Sequence, residues 1–133
     1  FFVNRALAGE TLTVYEPGTQ ARNFIHVTDV ARAYVRSAER LLNQLSNGGT
    51  GTETYEIASE EDLSVMRVAE IVQNTTSEVL DSNITIELIK NPRGAETMVE
   101  EFGVDISDAC ETLGWSAEES IEESVQRLLL RNS

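Results

Sequence analysis

Hydrophobic and polar positions change period sharply around Thr28, and that change organises the chain. In Arg22-Asn-Phe-Ile-His-Val-Thr-Asp-Val-Ala-Arg-Ala, Phe24 and His26 fall on one side and Ile25 and Val27 on the other. That period of two predicts a short strand. Thr28 and Asp29 then offer oxygens that can cap the free N–H groups of a helix start. Beyond them Val30, Ala31, Tyr34, Val35, Ala38, Leu41, Leu42 and Leu45 recur on a single helical stripe. The chain therefore runs from a strand directly into a long amphipathic helix.

Shorter elements flank this unit. Phe1 to Ala8 patterns as the end of a helix, stopped by Gly9, and Leu12 to Tyr15 as a strand. Glu16-Pro17-Gly18-Thr19 is a turn, and Asn47 to Gly51 is a flexible loop without phosphate-cradle spacing. Tyr55 to Ala58 predicts a third short strand, followed by an acidic turn over Ser59 to Leu63. Ser64 caps a helix with Val65, Val68, Ala69, Ile71 and Val72 inward. Ile84, Ile86 and Leu88 alternate as a strand, broken at Asn91-Pro92. Ile106, Ala109, Cys110 and Leu113 have helical spacing and place Cys110 toward the core, and Gly114 ends that helix. Ser120 and Glu123 form a capping box for a last helix with Ile121, Val125, Leu128 and Leu129 inward. Mixed strands and helices predict an α/β or α+β class.

Charge changes the picture most. The 133 residues carry 23 acidic and 10 basic side chains, a net charge of −13, and Lys90 is the single lysine. Such a surface argues against nucleic acid and anionic membranes as partners. Many carboxylates with almost no lysine resemble proteins of salt-loving organisms, in which salt screens the self-repulsion. With 41% hydrophobic residues the chain is expected to fold, with one modest core. It contains no apolar run near the ~20 residues of a membrane span. The one cysteine suits a reducing cytoplasm, the expected location. The chain opens without methionine, in what patterns as mid-helix, and is expected to be a piece of something longer.

Candidate chemistry is sparse. His26 is the only histidine, and a structural role is the default. The sequence has no zinc-ligand spacing, nucleophile elbow, P-loop or dinucleotide fingerprint. Asn74-Thr75-Thr76 matches a glycosylation acceptor, but in a predicted helix chance accounts for it better. Two arginines stand out. Arg22 lies at the mouth of the strand–helix unit, either as an ordinary surface residue or as a phosphate ligand. Arg93 follows a predicted strand on a loop, with Glu96 three residues on. A cation for a pyrophosphate beside a carboxylate for ribose hydroxyls would suit a nucleotide.

Taken in order, several runs resemble one family. They are Gly9-Glu-Thr-Leu-Thr-Val-Tyr, Arg22-Asn-Phe-Ile-His-Val-Thr-Asp-Val-Ala, Pro92-Arg-Gly-Ala-Glu-Thr, Val104-Asp-Ile-Ser, Leu113-Gly-Trp and Ser120-Ile-Glu-Glu. The set is similar to the C-terminal part of extended short-chain dehydrogenases, more narrowly the NAD-dependent nucleotide-sugar epimerase/dehydratase family. The resemblance implies a small C-terminal substrate domain over residues 1–133, helices packed on short strands, with the Rossmann half absent. The family's NAD loop and Tyr-x-x-x-Lys pair lie in that N-terminal domain, and none of Tyr15, Tyr34 and Tyr55 has a lysine four residues on. It further implies that Arg22 and Arg93 clamp a pyrophosphate, that Glu96 takes the ribose, and that Thr13 and Tyr15 lie along the base. The expected partners are a nucleotide-sugar and the N-terminal Rossmann domain of the same parent. NAD belongs to the parent rather than to these residues, and the parent is expected to pair as a homodimer.

Three departures stand against the family pattern. Asn23 replaces the usual aspartate, Glu16 a glycine, and Glu56-Ile57-Ala58 the usual Asn-Ile-Gly. The added negative charges would weaken an anionic ligand. Two expectations therefore stand: a nucleotide-sugar clamp that is not catalytic alone, or a structural association domain with a degenerate pocket.

Overall fold

The computed structural model describes residues 1–94 and 103–133. The elements in order are α1 (Phe2–Leu7), β1 (Leu12–Tyr15), β2 (Ala21–Asn23), α2 (Val27–Ser46), β3 (Asp62–Ser64), α3 (Val65–Leu80), β4 (Ile86–Ile89), α4 (Ser107–Leu113) and α5 (Ile121–Asn132). The mixed α/β class expected from the pattern is the one observed.

Among the described residues the strands form two small sheets. β1 and β4 run parallel, with Leu12 opposite Ile86 and Tyr15 opposite Ile89. Leu12 and Val14 point inward and are buried, as strand alternation requires. α3 and α5 close over that face together with α1. The main core joins Ala6, Leu12, Val14, Ala69, Ile71, Val72, Ile84, Val125 and Leu129. Thr75 and Thr76 are buried in α3, and each hydroxyl donates to the carbonyl four residues back, at 2.8 and 2.6 Å. That burial takes the threonine of the glycosylation match out of reach. β2 and β3 pair antiparallel, Arg22 opposite Leu63.

A second, smaller cluster joins Ala33 of α2 to Ala109 and Leu113 of α4 and to Trp115. Gly114 ends α4 in the left-handed region, φ 59°, and so turns Trp115 back under α2. The indole Nε1 donates to the Asp29 carbonyl at 2.8 Å.

Several expectations are corrected. The strand before α2 covers Ala21–Asn23, not Phe24 to Val27, because only there does β3 supply a ladder. The segment expected as an acidic turn therefore contributes a strand. α2 begins at Val27, and its cap is His26, whose Nδ1 accepts from the Thr28 N–H at 3.2 Å; Thr28 and Asp29 are already helical. Among the described residues Tyr55–Ala58 forms no ladder. Cys110 is exposed rather than core-facing, since Ala109 and Leu113 alone fill the contact with α2. Leu128 is 46% exposed, because α5 turns only Val125 and Leu129 fully onto α3. The stripe of α2 is mostly in solvent.

Candidate functional site

Parallel pairing of β1 and β4 sets where the turn carrying Arg93 emerges, beside the end of β1. Parallel strands end on the same edge, so the loops leaving Tyr15 and Ile89 start side by side. The carboxyl edge of parallel strands is where open α/β sheets place ligands. Tyr15 stands at that edge, 47% exposed. Glu16 N–H donates to the Ile89 carbonyl at 2.8 Å and continues the ladder by one bond. Thr13 lies mid-strand, opposite Glu87 and half-buried.

From Tyr15 the chain turns through Gly18, whose φ of 75° strains any other residue and where an added Cβ would sit 3.1 Å from Val14 Cγ1. The Gly18 carbonyl accepts from Met66 N–H at 3.0 Å. This brings β2 onto β3 and sets Arg22 on its exposed side. The Arg22 guanidinium donates to its own neighbour, the Ala21 carbonyl, at 2.9 Å. Arg93 sits on the turn after β4, where the Asn91 side chain accepts from its backbone N–H at 3.0 Å. Among the described residues neither guanidinium has a carboxylate partner. Glu96 lies outside the described residues.

Asn23 has a structural task. Its amide donates to the Ser59 carbonyl at 2.7 Å and to Asp62 at 2.8 Å, and its carbonyl accepts from Ser59 N–H at 3.0 Å. An aspartate could not make the first two bonds. The asparagine therefore ties the 59–62 segment to β2 rather than adding charge beside Arg22.

Two acidic clusters lie elsewhere. The Asp29 side chain is fully buried. It accepts from Arg32 at 2.5 Å, from Glu119 N–H at 3.0 Å and from Glu118 N–H at 3.2 Å. Burial by itself would raise its pKa. The bonds from Arg32, Glu119 and Glu118, with the Arg32 charge, outweigh it and hold the carboxyl below the usual 3.8. This is a structural clamp between α2 and the strap before α5, and its signal was present in the sequence only as a capping residue. On the other flank, Arg40 grips Glu53 through Nε and Nη2 at 2.9 and 3.0 Å. Tyr55 and Gln44 also donate to Glu53, and its pKa is held down to about 2, chiefly by the Arg40 bond.

Glu53 borders a cavity of about 640 Å³ between α2 and residues 51–57. Neither Arg22 nor Arg93 lines it. The glycines of the adjoining loop, Gly48 and Gly51, have open space around them and no helix N-terminus in front. They do not form a dinucleotide cradle, and no group of metal-binding side chains exists among the described residues.

Residues 1–58 match the family described as the NAD dependent epimerase/dehydratase family. UDP-glucuronic acid decarboxylase 3 of Arabidopsis thaliana is 30% identical over 128 residues, 93% of this chain and 32% of its own length. Two solved structures superpose well. UDP-N-acetylglucosamine 4-epimerase from Methanobrevibacter ruminantium M1, in complex with UDP-N-acetylmuramic acid, gives a TM-score of 0.69 at 25% identity, over 97% of this chain and 36% of that one. The Bordetella bronchiseptica enzyme WbmF, in complex with NAD+ and UDP, gives 0.67 at 27% identity, over 97% and 33%. The chain thus spans about a third of the length of the curated relatives it matches. Together these likenesses support the NAD-dependent epimerase/dehydratase family.

Proposed function

We infer that this chain is the nucleotide-sugar-holding, C-terminal part of an NAD-dependent epimerase or dehydratase, working with a dinucleotide-binding domain that carries the cofactor and the hydride chemistry. The observation that carries this reading is the parallel β1–β4 pair: the turn leaving β4 bears Arg93, and the chain leaving β1 runs through Gly18 to Arg22 on β2. Tyr15 ends β1 on that edge, exposed, and in this reading offers a ring to a base. The two guanidiniums are exposed and can each present two parallel N–H groups to a phosphate. Glu96, three residues beyond Arg93, completes the proposed set at the ribose. The work of this part is positional. Binding energy on the nucleotide fixes the sugar against the nicotinamide without any group here touching the reacting carbon.

Calorimetric titration with UDP in molar salt tests the reading. Each charge-assisted pair is worth about 1.5–3 kcal/mol, so Arg22→Ala and Arg93→Ala should each weaken UDP at least tenfold. Folding is checked by an unchanged urea midpoint, since both side chains are exposed. Equal affinity in the parent and both variants would favour a non-catalytic association domain with a degenerate pocket.

A further inference from the structure

Arg22 rides on a very small ladder. β2 and β3 share only three residue pairs and lie far apart in the chain. One bond extends the ladder at each end, Phe24 N–H to the Glu61 carbonyl and Val65 N–H to the Gln20 carbonyl, both at 3.2 Å. Two strands of this length do not fix their own register. A slip by one residue would turn the Arg22 side chain to the opposite face. Burial offers little resistance to that slip, since Ala21 is the one fully buried residue of the two strands.

The register is pinned from the other face. Asn23 lies on the side of Ala21, opposite Arg22. The Phe24–Glu61 bond makes Asn23 and Asp62 a pair that exchanges no backbone bonds, the kind whose side chains lie closest. The Asn23 amide donates to Asp62 Oδ1 at 2.8 Å and to the Ser59 carbonyl at 2.7 Å, and its oxygen accepts from Ser59 N–H at 3.0 Å. Ser59 is buried, and its hydroxyl donates to the Phe24 carbonyl at 2.5 Å and accepts from Glu61 N–H at 3.1 Å. A slip would break all of these bonds together. A carboxylate at position 23 has no N–H for Asp62 or for the Ser59 carbonyl. It would also set two negative charges side by side, next to an arginine that has to receive an anion.

Given the reading above, on which this rests, that Arg22 holds a phosphate, we propose that Asn23 is a positioning residue for the diphosphate. Its bonds to Asp62 and Ser59 hold β2 in the register that presents the Arg22 guanidinium to the ligand. As a neutral amide it does so with one carboxylate at the pair instead of two. It acts through the backbone and does not touch the ligand.

UDP titration of the 133-residue chain in molar salt, arranged as a double-mutant cycle, tests this role. Asn23→Ala should weaken UDP about fivefold in the parent and less than about twofold in an Arg22→Ala background, because neighbours that act as one unit are not additive. A side chain that merely supports the fold would cost the same factor in both. Asn23→Asp should weaken UDP at least as much as alanine. Combining it with Asp62→Asn reverses donor and acceptor at the pair and should return the affinity to within about threefold of the parent. Without UDP, exchange of the Phe24 and Val65 amides should quicken about tenfold in Asn23→Ala, as a loosened ladder requires. Where Asn23→Ala lowers the urea midpoint too far to titrate, Asn23→Asp and the swapped pair carry the same comparison, with and without Arg22. Equal losses in both backgrounds, a swapped pair as weak as Asn23→Asp, or unchanged amide exchange overturns the proposal. Arg22→Ala keeps the two readings apart. If it weakens UDP and Asn23→Ala does not, the clamp stands and the positioning role falls. A parent that binds no UDP, or one that Arg22→Ala leaves unaffected, removes the clamp and this role with it.

Discussion

Removing the Asp29 carboxylate should cost more than any other single polar change in the described chain. Its side chain is fully buried and accepts from one guanidinium and two backbone N–H groups, those of Glu118 and Glu119. In Asp29→Ala both half-buried N–H groups lose a bond to a charged acceptor, worth about 1.5–3 kcal/mol each before water replaces part of it. Arg32 is 35% exposed and can rehydrate, so its share is small. The expected loss is about 3 kcal/mol. With a urea slope of about 2 kcal/mol per molar, the midpoint should fall by about 1.5 M. Asp29→Asn keeps one acceptor oxygen but turns an amide N–H toward the strap, and should fall between the parent and alanine.

The same carboxyl gives the pH dependence a sign. Its folded pKa is lowered: burial pushes it up, and the bonds from Arg32, Glu119 and Glu118 pull it further down. The unfolded chain therefore takes up the proton first. The stabilisation is complete above the unfolded value of 3.8 and is lost as pH falls through the folded value beneath it. The gap between parent and Asp29→Ala should be constant from pH 7 to pH 5 and narrow below pH 4. A gap under about 1 kcal/mol at pH 7, or one that persists undiminished at pH 2, would refute the clamp.

Other outcomes follow from single contacts. Ser64 Oγ accepts from Arg67 N–H at 3.0 Å at the start of α3, so Ser64→Ala should cost about 1 kcal/mol in urea unfolding. Ser120→Ala should cost a similar amount at α5, where its Oγ accepts from Glu123 N–H at 3.2 Å. Cys110 is exposed and should react fully with a chromogenic disulfide reagent without denaturant, whereas slow reaction only on unfolding would contradict its placement. Raising salt from 0.1 to 1 M shortens the screening length from about 10 to about 3 Å and should raise the urea midpoint of this −13 chain. A falling midpoint would show that local ion pairs outweigh the general repulsion.

Local rules served well where the information was local. Ser64 and Ser120 cap the helices their sequence announced, and Gly114 ends α4 in the left-handed conformation that glycine favours. Pairing information was not local. Phe24 to Val27 alternates well, yet the ladder forms at Ala21–Asn23 because β3 lies opposite those residues, and Asn23 locks the register through Ser59 and Asp62. Asp29 shows the same limit. An acid two residues into a helix looks like a dipole partner, and nothing nearby reveals that its acceptors serve a strap almost ninety residues away.

The stripe on α2 carries the point furthest. Periodicity states that a face will be covered; it does not state by what. Leu41, Leu42 and Leu45 keep their spacing whether a core forms on them or not, so a sequence reader assigns them inward and the described fold leaves them outward. The mismatch is itself informative, because solvent exposure of so long an uncharged stripe is unfavourable in a chain that otherwise places charge freely. Alternation at Tyr55–Ala58 fails in the same way, as a strand pattern without a ladder. Both failures fall within the residues that match the epimerase/dehydratase family, next to each other around one cavity. Two independent patterns, one of period 3.6 and one of period two, thus lack a partner at the same surface.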